Sequence, residues 1–305
     1  ISEGLMDNVL REVIANGVPP AFAYRWATLN GARHYHLKDQ GGIAPGYLAD
    51  ILLLNSPEEV RVCDVFANGK QVVQNGKLTA EISEPPVSID ARNTMHFHSR
   101  PTRETFMVKA PIENGKLDVN AIEMCEANLT VLARTSVTVE NYYLTLKGLP
   151  DDFCFMTVVP RHGQPHPAQT VLLGGLRMRR GTLAATVAHD SHNLLVVGHN
   201  PDDMLLAALE LEKCGGGILF ADGGKVLGKL DLPVAGLMSP KSVAELAEEN
   251  AVMNRIGREW GIQDESPILS IAGLALLVIP EVRISDTLGL FDTIHQKAIP
   301  LFPDR

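Results

Sequence analysis

The densest group of chemically active side chains in this 305-residue sequence lies at residues 189–193. Apolar runs precede and follow five polar residues, namely His189, Asp190, Ser191, His192 and Asn193. Imidazole and carboxylate groups transfer protons near neutral pH, and both also bind metals. An extended strand would send His189 and His192 to opposite faces, so only a tight turn brings them to one site.

Four interpretations of this cluster stay open on the sequence. His189, Asp190 and His192 are plausible metal ligands. Ser191 is a candidate nucleophile, although it lacks the Gly-x-Ser-x-Gly elbow. The polar turn could also do no more than bond its own backbone. Our working hypothesis is the fourth: His189, Asp190 and His192 take part in catalysis, Ser191 and Asn193 bind substrate, and no metal ligand is assigned.

The remaining histidines give weaker signals. His96 and His98 have the His-x-His spacing, but they follow a proline-containing linker, which predicts a solvated or interfacial pair. His162 and His166 lie among glycine and proline residues, and Arg161 adds a charge beside them. This composition favours an ordinary surface loop, with a mobile loop near a site as the alternative.

Strands and helices in mixed order must position the cluster. Apolar runs typical of strands occur at residues 137–146, 153–159, 194–198, 218–221 and 225–230. Asn200 and Pro201 predict a helix start, and the glycines from Gly215 predict its end. A second helix is predicted between Ser239 and Gly261.

The first hundred residues have a different texture. Two amphipathic helical patterns come first, a strand-rich stretch follows them, and a proline-containing segment with little apolar periodicity comes next. The pattern predicts four regions: helices at 1–40, strands at 41–80, a linker at 81–101 and an α+β domain at 102–305.

Charge and hydropathy exclude two classes of partner. The net charge is −9, and the tightest basic group, Arg177 with Arg179 and Arg180, is too short to cover a nucleic-acid backbone. The longest apolar stretch, residues 268–280, is shorter than the roughly 20 residues that span a bilayer and predicts a core element. We therefore expect neither a nucleic acid nor a membrane as partner.

The cysteines indicate the compartment. There are four, without any Cys-x-x-Cys pair: Cys63, Cys125, Cys154 and Cys214. Secreted disulfide frameworks and zinc ribbons space their cysteines differently. The pattern therefore predicts buried free thiols in a cytoplasmic protein.

A resemblance appears in the first 80 residues. Gly46-x-x-Ala49-Asp50, followed by apolar residues 51–54, resembles the entry into the small β-sandwich of the amidohydrolase superfamily. The hairpin at 65–73 and the helix around 27–33 are similar to neighbouring elements of those enzymes. The resemblance implies the last helices of a (β/α)8 barrel and part of a β-sandwich. The chain starts at Ile1 within a helical pattern, so we expect a preceding part.

A second resemblance covers most of residues 100–292. Segments 181–198, 232–239 and 288–292 resemble the C-terminal domain of bacterial adenine deaminases. This implies a mixed α/β (α+β) fold and an enzyme of purine salvage or adenine catabolism that hydrolyses adenine to hypoxanthine and ammonia.

The resemblance also implies a divalent metal, manganese or iron, that activates water. Its ligands belong to the barrel, and none of them can be matched in this sequence. We therefore expect the chain alone to be inactive, with the N-terminal barrel half and further copies in a homo-oligomer as its partners. Two alternatives are a non-catalytic oligomerisation or support domain, and an amidohydrolase acting on another cyclic amide or amidine.

Overall fold

The computed structural model describes residues 4–81, 86–125, 129–264 and 266–303. The chain divides into two compact units, residues 1–86 and 87–305. Within the described ranges, no helix is long and apolar enough to cross a membrane. The predicted mixed α/β fold is confirmed.

The helices of the first unit follow their sequence signals. Helix α1 (Met6–Ala15) ends at Asn16 and Gly17, and the φ of Gly17 is 95°. Helix α2 (Pro20–Arg25) begins with proline, which suits a first helical position because it needs no N–H donor there. It continues through a π-helical turn (Trp26–Asn30) into α3 (Gly31–His34).

An antiparallel sheet follows in the same unit. Its order along the sheet is β1 (Ile51–Leu54), β2 (Val62–Ala67), β3 (Lys70–Gln74) and β4 (Lys77–Leu78). Asn68 and Gly69 form the turn between β2 and β3 with φ values of 49° and 74°, as a tight hairpin requires.

A nine-stranded sheet is the centre of the second unit. Its strands are β5 (Gly115–Met124), β6 (Thr130–Glu140), β7 (Tyr143–Thr145), β8 (Cys154–Val159), β9 (Gln169–Gly174), β10 (Thr182–Ala185), β11 (Leu194–Gly198), β12 (Gly217–Asp222) and β13 (Lys225–Asp231). They lie in the order β13-β12-β10-β11-β8-β9-β5-β6-β7. The β5–β9 pair is parallel and the other pairs are antiparallel.

Both faces of this sheet are covered. Helix α4 (Pro201–Cys214) packs on one face, against alternate side chains such as Ala184 and Val196. The opposite face, which carries Leu183 and Leu195, packs in one cluster with residues of three further elements. These are α5 (Val243–Trp260), α6 (Pro267–Ala272) and a small sheet of β14 (Val282–Ser285), β15 (Gly289–Asp292) and β16 (Lys297–Ala298).

Capping residues fix the helix ends. The side chain of Asn200 accepts from the N–H of Asp202 at 2.9 Å, and Gly215 ends α4 with a φ of 81°, so both predicted signals are confirmed. Helix α5 begins later than Ser239 predicted. Ser242 and Glu245 form a reciprocal capping box, which satisfies two backbone donors at the true start.

The cysteines correct one prediction. All four are free, but Cys125 is exposed, and Cys63 and Cys214 are half-buried. Cys125 directly follows β5 and lies outside the sheet, so no packing layer covers it. Cys154, inside β8, is buried as predicted, and burial raises the pKa of its thiol to about 12.

Candidate functional site

The polar cluster at 189–193 forms a turn, as one of the sequence interpretations requires. It lies in the connection between antiparallel strands β10 and β11, where Ala185 pairs with Leu195. Leu194 pairs with Val159 at the end of β8. Arg161, which follows β8, therefore lies at the same end of the sheet as the turn.

The five side chains differ in exposure. Asp190 and Ser191 are exposed, His189 and His192 are half-buried, and Asn193 is buried. The imidazole rings of His189 and His192 meet edge to face with centroids 5.6 Å apart. The turn thus brings both histidines together, which an extended strand could not do.

Asn193 ties the turn to its surroundings. Its Oδ1 accepts from the backbone N–H of Arg161 at 3.1 Å. Its Nδ2 donates to Oδ2 of Asp286, just after β14, at 2.9 Å. Since both ends of the side-chain amide are engaged inside the protein, Asn193 holds the turn in place.

Arg161 is the residue that sequence reasoning missed. Its side chain is fully buried. Its Nε donates to the carbonyl oxygen of His192 at 2.5 Å, and its Nη2 donates to that of Ala235 at 3.0 Å. Its Nη1 donates to the carbonyl oxygen of Thr94 at 3.2 Å and to the hydroxyl of Thr94 at 3.1 Å. A single guanidinium therefore joins the turn to two other segments.

The charge of Arg161 has no carboxylate within ion-pair distance among the described residues. Burial lowers the pKa of Arg161 to about 10, because a charged group loses its hydration inside the protein. The side chain stays protonated at neutral pH. The site is consequently built over a buried positive charge.

Two further histidines converge on the turn. His96 pairs with His162 as a short parallel bridge, in which the N–H of His96 donates to the carbonyl oxygen of Arg161 at 2.8 Å. The Nε2 of His162 lies 2.9 Å from the carbonyl oxygen of Ser191, to which it donates when it carries the proton. Both histidines are exposed. Motifs that are far apart in the sequence therefore line one surface.

The environment of His192 disfavours its charged form. Its pKa is lowered first by burial, then by the neighbouring imidazole of His189 and by the positive charge of Arg161. Among the described residues, its Nδ1 is buried without a hydrogen-bond partner. Protonation would place an N–H on that atom, and a buried donor without an acceptor is costly. His192 is therefore neutral near pH 7.

This geometry gives little support to a metal site or to a serine nucleophile at the turn. In the part of the chain that the structure describes, no three His, Cys, Asp or Glu side chains lie together so as to hold a metal. The hydroxyl oxygen of Ser191 accepts from the N–H of Asn193 at 3.4 Å, a contact that holds the turn and does not activate a nucleophile.

Family comparisons match both units. A model of the adenine deaminase C-terminal domain matches residues 128–297. A model of the amidohydrolase family matches residues 3–72. The turn and Arg161 both lie within the first of these matches.

Curated relatives match the whole chain. Adenine deaminase from Moorella thermoacetica is 36% identical over 303 residues, covering 99% of this chain and 50% of that protein. Adenine deaminase from Staphylothermus marinus is 34% identical over 306 residues, with 99% and 50% covered. Adenine deaminase 2 from Carboxydothermus hydrogenoformans is 34% identical over 303 residues, with 99% and 52% covered. The chain spans about half the length of these relatives.

Proposed function

Because the chain belongs to the adenine deaminase C-terminal domain family, we propose that it is the C-terminal half of an enzyme that hydrolyses adenine to hypoxanthine and ammonia. The support is a set of relatives named adenine deaminase that match 99% of this chain. We further propose that the enzyme works in the cytoplasm, in purine salvage or adenine catabolism, and that it is a homo-oligomer.

A divalent metal, manganese or iron, belongs to this proposal. Such an ion lowers the pKa of a bound water and so supplies a hydroxide near neutral pH. The described residues of this chain do not fit the ion, since they bring no three ligand side chains together. We therefore place the ligands in the N-terminal barrel half and assign none of them here.

The first unit supplies the junction with that half. We propose that residues 1–40 end the barrel, that 41–80 form part of a β-sandwich, that 81–101 link them to the rest, and that 102–305 form the C-terminal domain. A largely apolar groove of about 730 Å³ between the helices and the sheet of this unit supports the proposal. Covering such a surface stabilises a protein by about 25 cal/mol per Å² of apolar area.

The turn at 189–193 is the part of this chain that we assign to the substrate. The observation that carries the assignment is the pair of half-buried imidazoles, His189 and His192, held beside the exposed Asp190 and Ser191. Adenine is a small neutral ring with donors and acceptors on its edge. We propose that His189, Asp190 and His192 contact its nitrogens during proton transfer, that Ser191 binds it, and that Asn193 positions the turn.

A supporting role for the turn is the alternative, and one observation favours it. Both ends of the Asn193 amide are engaged inside the protein, as in a turn that serves packing. Replacing exposed Asp190 separates the two interpretations, because a packing turn tolerates that change.

The experiment that tests the proposed function measures ammonia release by the full-length protein. We expect release from adenine, dependent on added manganese or iron, and none from cyclic amides such as dihydropyrimidines. Release from a cyclic amide and not from adenine would overturn the substrate assignment. Equal activity after deletion of residues 102–305 would show that this domain only supports the barrel.

A further inference from the structure

Arg161 occupies the point where three loops meet. Its guanidinium bonds the turn at His192, the segment at Thr94 and the loop at Ala235. Its own backbone N–H binds Asn193, and its carbonyl oxygen accepts from His96.

We propose that Arg161 is the positioning residue of this site: its buried guanidinium holds the three loops in one surface, and its positive charge acts on the adjacent imidazole of His192. The proposal concerns the turn itself, so it does not depend on which ligand the turn meets.

The pocket around Arg161 fits the planar, forked shape of a guanidinium group. The acceptors lie in three directions, which the fixed N–H groups of a guanidinium reach together and a lysine ammonium does not. The backbone of Gly236 closes the remaining side. A Cβ added there would lie 2.8 Å from the guanidinium carbon, so the loop has room for the flat group only while residue 236 is glycine.

The positive charge of Arg161 affects His192 because the groups that Arg161 hydrogen-bonds are neutral and do not cancel the charge. The acceptors at His192, Thr94 and Ala235 are carbonyl and hydroxyl oxygens. A positive charge that lacks a counter-ion disfavours a second positive charge nearby, and low polarity strengthens the effect.

The charged and titratable groups around His192 come from each neighbouring element. His189 and Asp190 lie on its own turn, Arg161 and His162 follow β8, and Asp286 binds the adjacent Asn193. Asp190 raises the pKa of His192, whereas burial and the three basic groups lower it. The causes that lower the pKa of His192 outweigh the one that raises it.

A neutral His192 defines the class of ligand. A neutral imidazole offers one donor and one acceptor, whereas a protonated one offers donors only. The surface therefore suits an uncharged ring with hydrogen-bond donors and acceptors on its edge. It does not suit a ligand that must be bound by positively charged side chains.

The test is a pH titration of the histidine side chains by NMR, in the 305-residue chain with ¹⁵N-labelled histidine. Arg161→Gln removes the charge, and Arg161→Lys keeps the charge but loses the fork. Arg283→Gln is the matched control, because Arg283 is also buried and donates to backbone carbonyl oxygens, here those of Ile279 and Pro280.

The two Arg161 variants distinguish the effect of the positive charge from the effect of the hydrogen-bond geometry. In Arg161→Gln we expect the pKa of His192 to rise by about half a unit or more. In Arg161→Lys we expect that pKa to stay low, while hydrogen exchange of the His192 amide, which donates to Ala188, accelerates about tenfold or more. Arg283→Gln should change neither quantity.

Two results overturn the proposal. One is an unchanged pKa of His192 in a folded Arg161→Gln variant. The other is unchanged exchange of the His192 amide in Arg161→Lys, which decides the matter if Arg161→Gln does not fold.

Discussion

The side-chain amide of Asn193 donates to the carboxylate of Asp286 at 2.9 Å, across 93 positions of sequence. This bond connects the turn after β10 to the loop after β14. Arg161 connects the same turn to the loop at Ala235. The segments by which the sequence resembles adenine deaminases thus meet in, or directly beside, one polar surface.

The turn can be tested by activity. In the full-length enzyme we expect Asp190→Ala or His192→Ala to lower kcat/KM by about tenfold or more, since losing one hydrogen bond to a buried partner costs about 1–3 kcal/mol. Metal content should not change. Steady-state kinetics with adenine and metal analysis by mass spectrometry check both statements.

Two controls accompany these variants. His192 has a φ of 49°, which asparagine tolerates better than alanine, so His192→Asn removes the imidazole with less backbone strain. His98 is exposed, and His98→Ala should keep full activity. Full activity of Asp190→Ala and His192→Asn would favour the supporting role, and a joint loss of metal and activity would make the cluster a ligand set.

The 305-residue chain should differ from the full-length enzyme. We expect it to release no ammonia from adenine and to hold manganese or iron at far less than a stoichiometric amount, because its described residues contain no three-ligand group. Metal analysis after dialysis and an ammonia assay measure this. A near-stoichiometric ion in the purified chain would contradict the placement of the ligands in the barrel.

Local signals in the sequence predict local structure. The Asn200 cap and the Gly215 stop define α4 because each acts within one helical turn. The turn at 189–193 is predictable for the same reason, since polar residues interrupt two apolar runs. Strand β5 (Gly115–Met124) escaped prediction, because polar residues break its pattern and pairing with β6 and β9 sets its place.

Arg161, at the centre of the site, is not predictable from local sequence signals. Arg161 bonds residues that lie 31, 67 and 74 positions away in the chain. In the sequence it is one charged residue in a loop with two histidines, and only the fold reveals its burial. Its backbone partner His96 has a His-x-His spacing that draws attention to metal chemistry, yet its backbone pairing is what connects it to the site.

The lowered pKa of His192 predicts a pH dependence of stability. The ordinary pKa of a histidine side chain is 6.5, and the pKa of His192 in the folded protein lies below it, so these two values bound a pH window. As the pH falls through this window, the unfolded chain binds the proton first, so the free energy of unfolding decreases until the pH passes the folded pKa. Stability should thus rise with pH through the window and level off above 6.5.

His192→Asn isolates this contribution from other titrating groups. Urea unfolding at several pH values should give a shallower rise for the variant than for the unaltered chain. Parallel curves would mean that His192 has the same pKa in the folded and unfolded states.

Gly236 should be intolerant of any side chain. Its φ is 71°, and an added Cβ would lie 2.8 Å from the guanidinium of Arg161. Gly224, with a φ of 74° and open space around it, is the matched control. We expect Gly224→Ala to cost about 1–2 kcal/mol through the left-handed backbone, and Gly236→Ala to cost about 1–3 kcal/mol more through overpacking. Denaturant midpoints measure the difference. Equal costs would show that the side chain of Arg161 moves away from the added methyl group without loss of stability.

Two buried threonines at opposite ends of strand β10 should respond oppositely to valine. Thr182 and Thr186 are both fully buried. The hydroxyl of Thr186 donates to the carbonyl oxygen of Gly236 at 2.5 Å and accepts from the N–H of Gly217 at 2.8 Å. Among the described residues, the hydroxyl of Thr182 has no hydrogen-bond partner. Valine keeps the branched shape of threonine and removes the hydroxyl.

In Thr186→Val we expect the free energy of unfolding to fall by about 1–3 kcal/mol, because Gly217 and Gly236 lose a partner. In Thr182→Val we expect no loss and a gain of up to about 1 kcal/mol, because a buried hydroxyl without a partner is removed. Urea unfolding of the two variants under the same conditions measures both effects. A loss in Thr182→Val as large as that in Thr186→Val would mean that the Thr182 hydroxyl makes a stabilising bond in solution.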